Sequence, residues 1–366
     1  MVTTSSSVET SAAQIRALAI YLPQFHPVKE NDEWWGQGFT EWTNVTKAEP
    51  LFPGHNQPQL PADLGFCDLR VPEVREAQAQ LAKQYGIHGF CYYHYWFNGK
   101  RLLNRPIDEV LSSKHPDFPF MLFWANETWS RRWLGEEKEI LIKQTYSEED
   151  DRNHINWLYD NAFIDERYIK VHGRPAFVIY RPHDLPDYKK TLALFKSIAE
   201  SKGLPAPFMI GSNSHGHELS GFDQVLNFEP QLGLLPDAFV DGANDNKKKR
   251  NRTYNIKSSE LKVYDYKGVK KIMAARKFDY KYLPCVFVGW DNTARRGKNG
   301  IIIINQNKED FKNSLLEAKE VVKDYPEDEK IVFINAWNEW AEGNHLEPCA
   351  TYGHTFLEIV KEVFND

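Results

Sequence analysis

Two glutamates near the end of the chain, Glu339 and Glu342, have the residue type and spacing of a catalytic pair. If the chain turns helically there, side chains three residues apart share one face, with Cβ atoms about 5–6 Å apart. Glycoside hydrolysis commonly uses two carboxyl groups, and a separation of about 5–5.5 Å accompanies retention of anomeric configuration. The flanking Trp337 and Trp340 would exclude water, so one pKa of the pair should rise and give an acid and a base.

Polar and aromatic residues also follow other apolar segments of the chain. Sugars offer C–H faces that stack on aromatic rings, and hydroxyls that need donors and acceptors. Together with the 11 tryptophans of the chain, this pattern predicts a carbohydrate-binding cleft with no metal and no cofactor. The candidate substrate-binding residues are Gln24, His26, His94, Tyr95, Trp96, Trp124, Asn126, Glu127, Asn213, Trp290, Asp291, Trp337 and Asn338.

Several of these residues have an ordinary structural interpretation as well. Trp124 and Trp337 could pack between strands and helices. Asn126 and Glu127 could cap a helix, and a Glu pair three residues apart is common on helix surfaces. The cleft interpretation therefore depends on all the segments converging on one site.

The two candidate histidines, His26 and His94, have alternatives of their own. Histidines are more often hydrogen-bonded structural residues than catalytic ones. With Glu127 they could in principle ligate a metal, but no ligand spacing singles out such a site. The proton chemistry of two glutamates needs no metal.

Eight short apolar segments predict the strands that would position these residues: 15–22, 87–93, 120–125, 176–180, 207–211, 225–228, 285–289 and 331–336. Continuous apolar runs are typical of strands buried on both faces, as in parallel sheets. Helical patterns separate most of them, at 71–85, 148–163, 185–201, 265–276 and 308–322, and a last one covers 355–363. The alternation favours an α/β fold, and eight strands favour a single (β/α)8 TIM barrel. No glycine-rich nucleotide motif supports an open sheet instead.

The domain organisation follows from this pattern. Residues 1–14, rich in Ser and Thr, predict a disordered lead, and residues 15–366 form the barrel. The long segments 25–70 and 229–264 interrupt the alternation. In a barrel, long loops after strands lie on the catalytic rim, and the second loop is a candidate lid.

Composition excludes several partners and locations. A net charge of −6 argues against a nucleic-acid partner. No apolar stretch approaches the roughly 20 residues that cross a bilayer, so we expect no membrane insertion. The N-terminus lacks the basic start and apolar centre of a signal peptide, and the four separated cysteines suggest neither a zinc site nor a disulfide scaffold. The expected location is cytoplasmic.

The segment WNEWAEGNHLEP at 337–348 resembles the WNEWxEGxxxEP signature of WbsX-like proteins, relatives of glycoside hydrolase family 99, the endo-α-mannosidase family. Segments 21–27, 38–45, 94–97, 124–127 and 289–293 are also of the WbsX type. The resemblance therefore extends from about residue 17 to residue 363. It adds Trp42, within segment 38–45, to the candidate substrate-binding residues.

The resemblance implies a (β/α)8 barrel that acts on an oligo- or polysaccharide, typically a bacterial surface glycan. Enzymes of family 99 are retaining and use the substrate's own 2-hydroxyl. One glutamate deprotonates that hydroxyl, which attacks the anomeric carbon and gives a 1,2-anhydro sugar, while the second protonates the leaving oxygen and later activates water. By position, Glu339 matches the first role and Glu342 the second.

Three functions remain open at this stage: a retaining, endo-acting glycoside hydrolase, a glycosyltransferase of O-antigen or capsule biosynthesis, and a non-catalytic glycan-binding barrel. A transferase needs a sugar donor, and no DxD motif follows a predicted strand. Asp245 in Asn-Asp-Asn is the nearest alternative and lies in a polar loop. No motif indicates the sugar, the linkage or the oligomeric state.

Overall fold

The computed structural model describes residues 15–131, 136–212, 217–236 and 261–365. The predicted lead 1–14, the candidate residue Asn213 and most of the predicted lid 229–264 lie outside the described residues. They stay predictions.

Eight parallel strands form a closed barrel: β1 (Arg16–Tyr21), β2 (Gly89–Phe97), β3 (Phe120–Trp124), β4 (Arg174–Ile179), β5 (Phe208–Gly211), β6 (Gln224–Asn227), β7 (Tyr282–Phe287) and β8 (Ile331–Asn335). Each strand pairs with its neighbours in chain order, and β1 pairs with β8, with Ala19 opposite Ile334. All eight predicted strands and the (β/α)8 barrel are confirmed. The strands are almost wholly buried, because side chains fill the barrel inside and helices cover it outside.

The described α-helices are α1 (Lys29–Trp35), α2 (Glu41–Lys47), α3 (Pro72–Gln84), α4 (Arg105–Ser113), α5 (Glu148–Trp157), α6 (Tyr188–Ser201), α7 (Tyr266–Ala274), α8 (Thr293–Arg296), α9 (Lys308–Val322) and α10 (Thr355–Asn365). The predicted helices correspond to α3, α5, α6, α7, α9 and α10. The sequence analysis missed α4, in which Ile107 and Val110 face the core. The described part of the β5–β6 connection contains no helix.

Short strands thicken the rim at the carboxyl ends of the barrel strands. Lys100–Leu102 pairs with the end of β2, Trp129–Arg131 with Glu136–Ile142, and Asn338–Glu339 with Asn344–His345. After β7, Trp290–Asp291 pairs with Ile301–Ile304, which in turn pairs with Lys262–Asp265. The apolar run at Ile301–Ile304 thus forms a strand outside the barrel. The long segment after β1 contributes α1 and α2 to the same rim, as expected.

The four cysteines of the chain are buried free thiols. Within the described ranges, no helix has the length and apolarity needed to span a bilayer.

Candidate active site

A cavity of about 440 Å³ opens at the carboxyl ends of the barrel strands, within the usual size range of ligand sites. Among the described residues, seven of the eight strands contribute at or just after their ends, and β5 does not. The predicted cleft on the catalytic rim is therefore present. Six predicted residues line its wall, namely Gln24, Tyr95, Glu127, Trp290, Glu339 and Glu342.

The two candidate catalytic glutamates meet on one arginine at the bottom of this cavity. Arg295 donates from Nη1 to Oε1 of Glu342 at 2.5 Å and from Nη2 to Oε2 of Glu339 at 3.1 Å. Glu339 ends a short strand and Trp340–Glu342 forms one 3-10 turn, in which side chains three apart eclipse. The sequence predicts both glutamates on one helical turn. In the structure the turn is of the 3-10 type and begins after Glu339, and the two carboxylates still meet on Arg295.

A third carboxylate completes the charged floor. Glu41, in α2, accepts from Nε of Arg295 at 3.2 Å and is fully buried. One guanidinium therefore serves three carboxylates. Arg295 is itself buried, with 9 % of its side chain exposed, so water screens this network weakly.

The electrostatics of the floor favour a bound proton. Burial raises the pKa of Glu339, and the neighbouring charge of Glu342 raises it further. Burial also raises the pKa of Glu342, while Arg295 lowers the pKa of both carboxyls in part. Like charges that share one cation with Glu41 favour the protonated form of a carboxyl. Raised pKa values suit an acid–base pair, in which one carboxyl must hold a proton.

The walls of the cleft are aromatic and polar. Tyr93 and Tyr95 lie two residues apart on β2. Both face the cavity, because every second side chain of a strand points to the same side. Just after β3, the strand next to β2, Glu127 accepts from Nη1 of Arg181 at 2.8 Å. Further residues on the wall include Asn31, Trp35, Trp129, Tyr180, Asn292 and Arg296.

The structure places His94, Trp96 and Trp124 in the layer between the barrel and α5, not on the cavity wall. Nε2 of His94 lies 3.0 Å from Nε2 of His154, and Trp96 donates from Nε1 to Asp150 at 2.9 Å. β2 continues to Phe97, so its side chains still alternate in direction beyond Tyr93. His94 and Trp96 therefore point away from the cavity. The expectation that these three side chains face the cleft needs correction, and the core interpretation of Trp124 is the one observed.

Two predicted asparagines hold strand ends together instead of lining the cavity. Asn126 accepts from the backbone N–H of Arg181 at 2.8 Å and donates to its carbonyl at 2.9 Å, which joins the ends of β3 and β4. Asn338 makes the same pair of bonds to Leu22, at 2.7 and 3.0 Å, which joins β8 to β1. Both side chains are fully buried. They shape the cleft through the backbone.

Two predicted tryptophans pack behind the floor. Trp337 is fully buried and lies 5.1 Å from Phe90, measured between ring centroids. Trp42 contacts Trp340 at 5.3 Å and donates from Nε1 to the carbonyl of Cys67 at 2.8 Å. Neither lines the cavity, so their role in this structure is to support the turn that carries Glu339.

Asp291 and His26 are also buried away from the wall. Oδ2 of Asp291 lies 2.7 Å from Nε2 of His55 and accepts from Gln57 at 2.8 Å, while Oδ1 accepts from the backbone N–H of Thr293 at 3.0 Å. Asp291 therefore anchors the start of α8, which carries Arg295. Burial lowers the pKa of His26 to about 4, so this imidazole is neutral at pH 7.

The groups that hold the two glutamates were not predicted from the sequence. Arg295 lies two residues beyond segment 289–293, and Glu41 lies inside segment 38–45. A general signal existed, because two buried carboxylates need a cation nearby. Nothing in the sequence identified which of the many arginines supplies it. Among the described residues, no group of three or more His, Cys, Asp or Glu is placed to hold a metal ion.

Residues 17–360 match the family model described as Glycosyltransferase WbsX. The chain belongs to the WbsX family. Two curated relatives are described as uncharacterized protein WxcX, from two strains of Xanthomonas campestris pv. campestris. They are 38 % identical over 364 residues (strain B100) and 39 % over 350 residues (strain ATCC 33913), covering 98 % and 94 % of the chain. The matches cover 50 % and 49 % of the relatives, so this WbsX chain spans about half their length.

Solved structures resemble this WbsX barrel over almost its whole length. A glycoside hydrolase-like protein has a TM-score of 0.59 at 14 % identity and covers 99 % of the chain and 97 % of its own. The family 99 endo-α-mannosidase of Bacteroides thetaiotaomicron has a TM-score of 0.55 at 14 % identity, with 96 % of each chain covered. At this identity the likeness shows a shared (β/α)8 fold.

Proposed function

We propose that this WbsX protein is a retaining glycoside hydrolase that cleaves within glycan chains. The observation that carries the proposal is the contact of Glu339 and Glu342 with one guanidinium at the floor of an aromatic cleft. Neighbouring carboxyls of this kind suit retention of configuration. The shared fold with an endo-α-mannosidase supports a surface polysaccharide or an α-mannoside-like glycan as the substrate.

The proposed first step uses the substrate's 2-hydroxyl as the nucleophile. Glu339 takes the proton of that hydroxyl as its oxygen bonds to the anomeric carbon. The bond from this carbon to the leaving oxygen breaks, and Glu342 donates a proton to that oxygen. The products are the shortened glycan and a 1,2-anhydro sugar.

The second step opens the anhydro sugar with water. Glu342 takes a proton from the water as the water oxygen bonds to the anomeric carbon. The bond between that carbon and O2 breaks, and Glu339 returns a proton to O2. Two inversions give net retention, and both glutamates return to their starting states. The raised pKa values of the pair suit this exchange, because each step needs one protonated and one ionised carboxyl.

The test is glycan hydrolysis by the wild type, Glu339→Gln and Glu342→Gln, screened on defined oligosaccharides that include α-mannosides. We expect each variant to lose activity by about 10²- to 10⁴-fold, and NMR of the first product to show retained configuration. Glu320→Gln, in an exposed surface pair on α9, is the matched control and keeps full activity. Wild-type turnover in both active-site variants would contradict the proposal.

A second candidate function is glycosyl transfer, which the description of the family as a glycosyltransferase favours. It requires a sugar donor, so calorimetric titration with nucleotide sugars separates the two. Tight donor binding with no hydrolysis of any glycan supports transfer. Saccharide binding that is unchanged in both glutamate variants, again without turnover, supports a non-catalytic glycan-binding barrel.

A further inference from the structure

One wall of the cleft carries a buried hydrogen-bond donor without an acceptor. Trp290 follows β7, lines the cavity and is only 8 % exposed, and its Nε1 has no hydrogen-bond partner among the residues that the structure describes. Buried donors of folded proteins are nearly always paired, because an unpaired one costs about 1–3 kcal/mol. A ligand atom that accepts a hydrogen bond would remove this cost.

The same wall carries a positive charge without a counter-charge. Arg296 lines the cavity and is half-buried, and its guanidinium makes no ion pair or hydrogen bond within the described ranges. The other charged side chains of the wall are paired, since Glu127 binds Arg181 and the two floor glutamates bind Arg295. Arg296 is thus the one charge of the described wall that remains for a ligand.

The segment that presents both donors is held firmly. Trp290–Asp291 pairs with Ile301–Ile304, and Asn292 accepts from the backbone N–H of Ile301 at 2.7 Å. Asp291, fixed by His55 and Gln57, anchors the first turn of α8. Because donors on a fixed backbone lose little entropy when they bind, this segment suits recognition of a charged group.

We propose that Trp290 and Arg296 form an anion subsite of the cleft, and that the glycan it takes carries a carboxylate on its sugars, as uronic acids do. The guanidinium fork matches a carboxylate with two parallel hydrogen bonds, and the indole N–H supplies a third. A carboxylate brings one negative charge for one unpaired cation. A phosphate dianion would add a second charge beside Glu339 and Glu342.

The inference rests on the proposed function in one respect, that a glycan occupies the cleft, and it is tested by binding without turnover. The full chain is titrated calorimetrically with oligogalacturonate and oligoglucuronate trimers and with their carboxyl-reduced, neutral counterparts. We expect at least one acidic trimer to bind about tenfold or more tightly than its neutral counterpart. The difference should shrink with added salt.

Variants assign that preference to the subsite. Arg296→Gln should remove most of it, Arg296→Lys should keep part of it, and Trp290→Phe should weaken acidic binding while the ring still packs. Lys298→Gln is the matched control, because it removes a positive charge two residues away at an exposed position outside the cavity. It should leave the preference unchanged.

Several results would overturn the inference: equal binding of acidic and reduced trimers, no measurable binding of either acidic trimer, or an equal effect of Lys298→Gln and Arg296→Gln. Arg296-dependent binding of glucose 1-phosphate without binding of the uronates would replace the carboxylate by a phosphate. None of these results depends on hydrolysis. The hydrolase proposal, by contrast, would be contradicted by wild-type turnover in both glutamate variants.

Discussion

The two faces of β2 carry the same kinds of residue and do different things. Tyr93 and Tyr95 face the cleft, while His94 and Trp96 face the layer beneath α5. In the outer set, burial lowers the pKa of His94 and of its partner His154, which favours neutral imidazoles there. Whether a side chain of β2 faces the cleft thus depends on its odd or even position in the strand more than on its residue type.

The cleft floor differs from the outer layer in the charge that it retains. Glu41 and Glu339, which are buried, and Glu342, which is half-buried, all contact Arg295. The outer layer contains individual hydrogen bonds between neutral and acidic groups, such as the bond from Trp96 to Asp150. In the floor, three carboxylates share one cation, and burial raises the pKa of each of them.

Removing the cation from the floor should have the largest effect. Arg295→Gln leaves buried carboxylates without a counter-charge, which we expect to cost about 3–5 kcal/mol of unfolding free energy. Urea denaturation at pH 7 measures it. Arg70→Gln breaks an exposed pair with Asp68 and should cost less than about 1 kcal/mol. Equal losses in the two variants would mean that the floor behaves like a surface ion pair.

A second test concerns the carboxyl behind the floor. Glu347 accepts from Nε1 of Trp340 and from Nε2 of Gln78, both at 2.6 Å, and burial raises its pKa from 4.5 to about 7. The folded state therefore binds this proton more tightly. Its contribution to stability is complete below about pH 4.5 and is lost as the pH rises through about 7, by about 3 kcal/mol.

Chemical denaturation between pH 4.5 and 8 measures this dependence. Glu347→Gln, which does not titrate, should show a flatter curve than the wild type over that range. The control is Glu358→Gln at an exposed position of α10, which should keep the wild-type slope. An unchanged slope in Glu347→Gln would show that another group titrates there.

The smallest expected effects come from the two faces of β2, and they should separate activity from stability. Trp96→Phe loses the buried bond to Asp150 and should cost about 1–3 kcal/mol in stability without changing glycan turnover. Tyr95→Leu removes a ring from the cleft wall and should lower kcat/KM about tenfold on any glycan that is cleaved. The reverse pattern would place the substrate on the other side of the strand.

The fold could be predicted almost completely from the sequence, because strands buried on both faces leave continuous apolar runs such as 331–336. The helix α4 was missed, since its nine residues include Pro106 near the start and two serines at the end, which blur the helical pattern. The pairing of the last strand with the first follows from barrel closure and not from any local signal.

The candidate site was predicted only in part. The glutamate pair and Tyr95 were identified because they follow apolar runs, but the same rule also selected His94 and Trp96, since the end of β2 was placed too early. Arg295 could not be found, because its contacts come from elements far apart in the chain and an arginine in a short helix is unremarkable by itself.

The bond between Glu41 and Arg295 joins residues 254 positions apart, and Asn338 fastens β8 to residue 22. Such contacts are slow to form, since a long loop must close before they add any stability. During translation the charged floor cannot assemble until residue 342 has left the ribosome. Until then, the nascent chain exposes unpaired acidic groups and an open β1 edge.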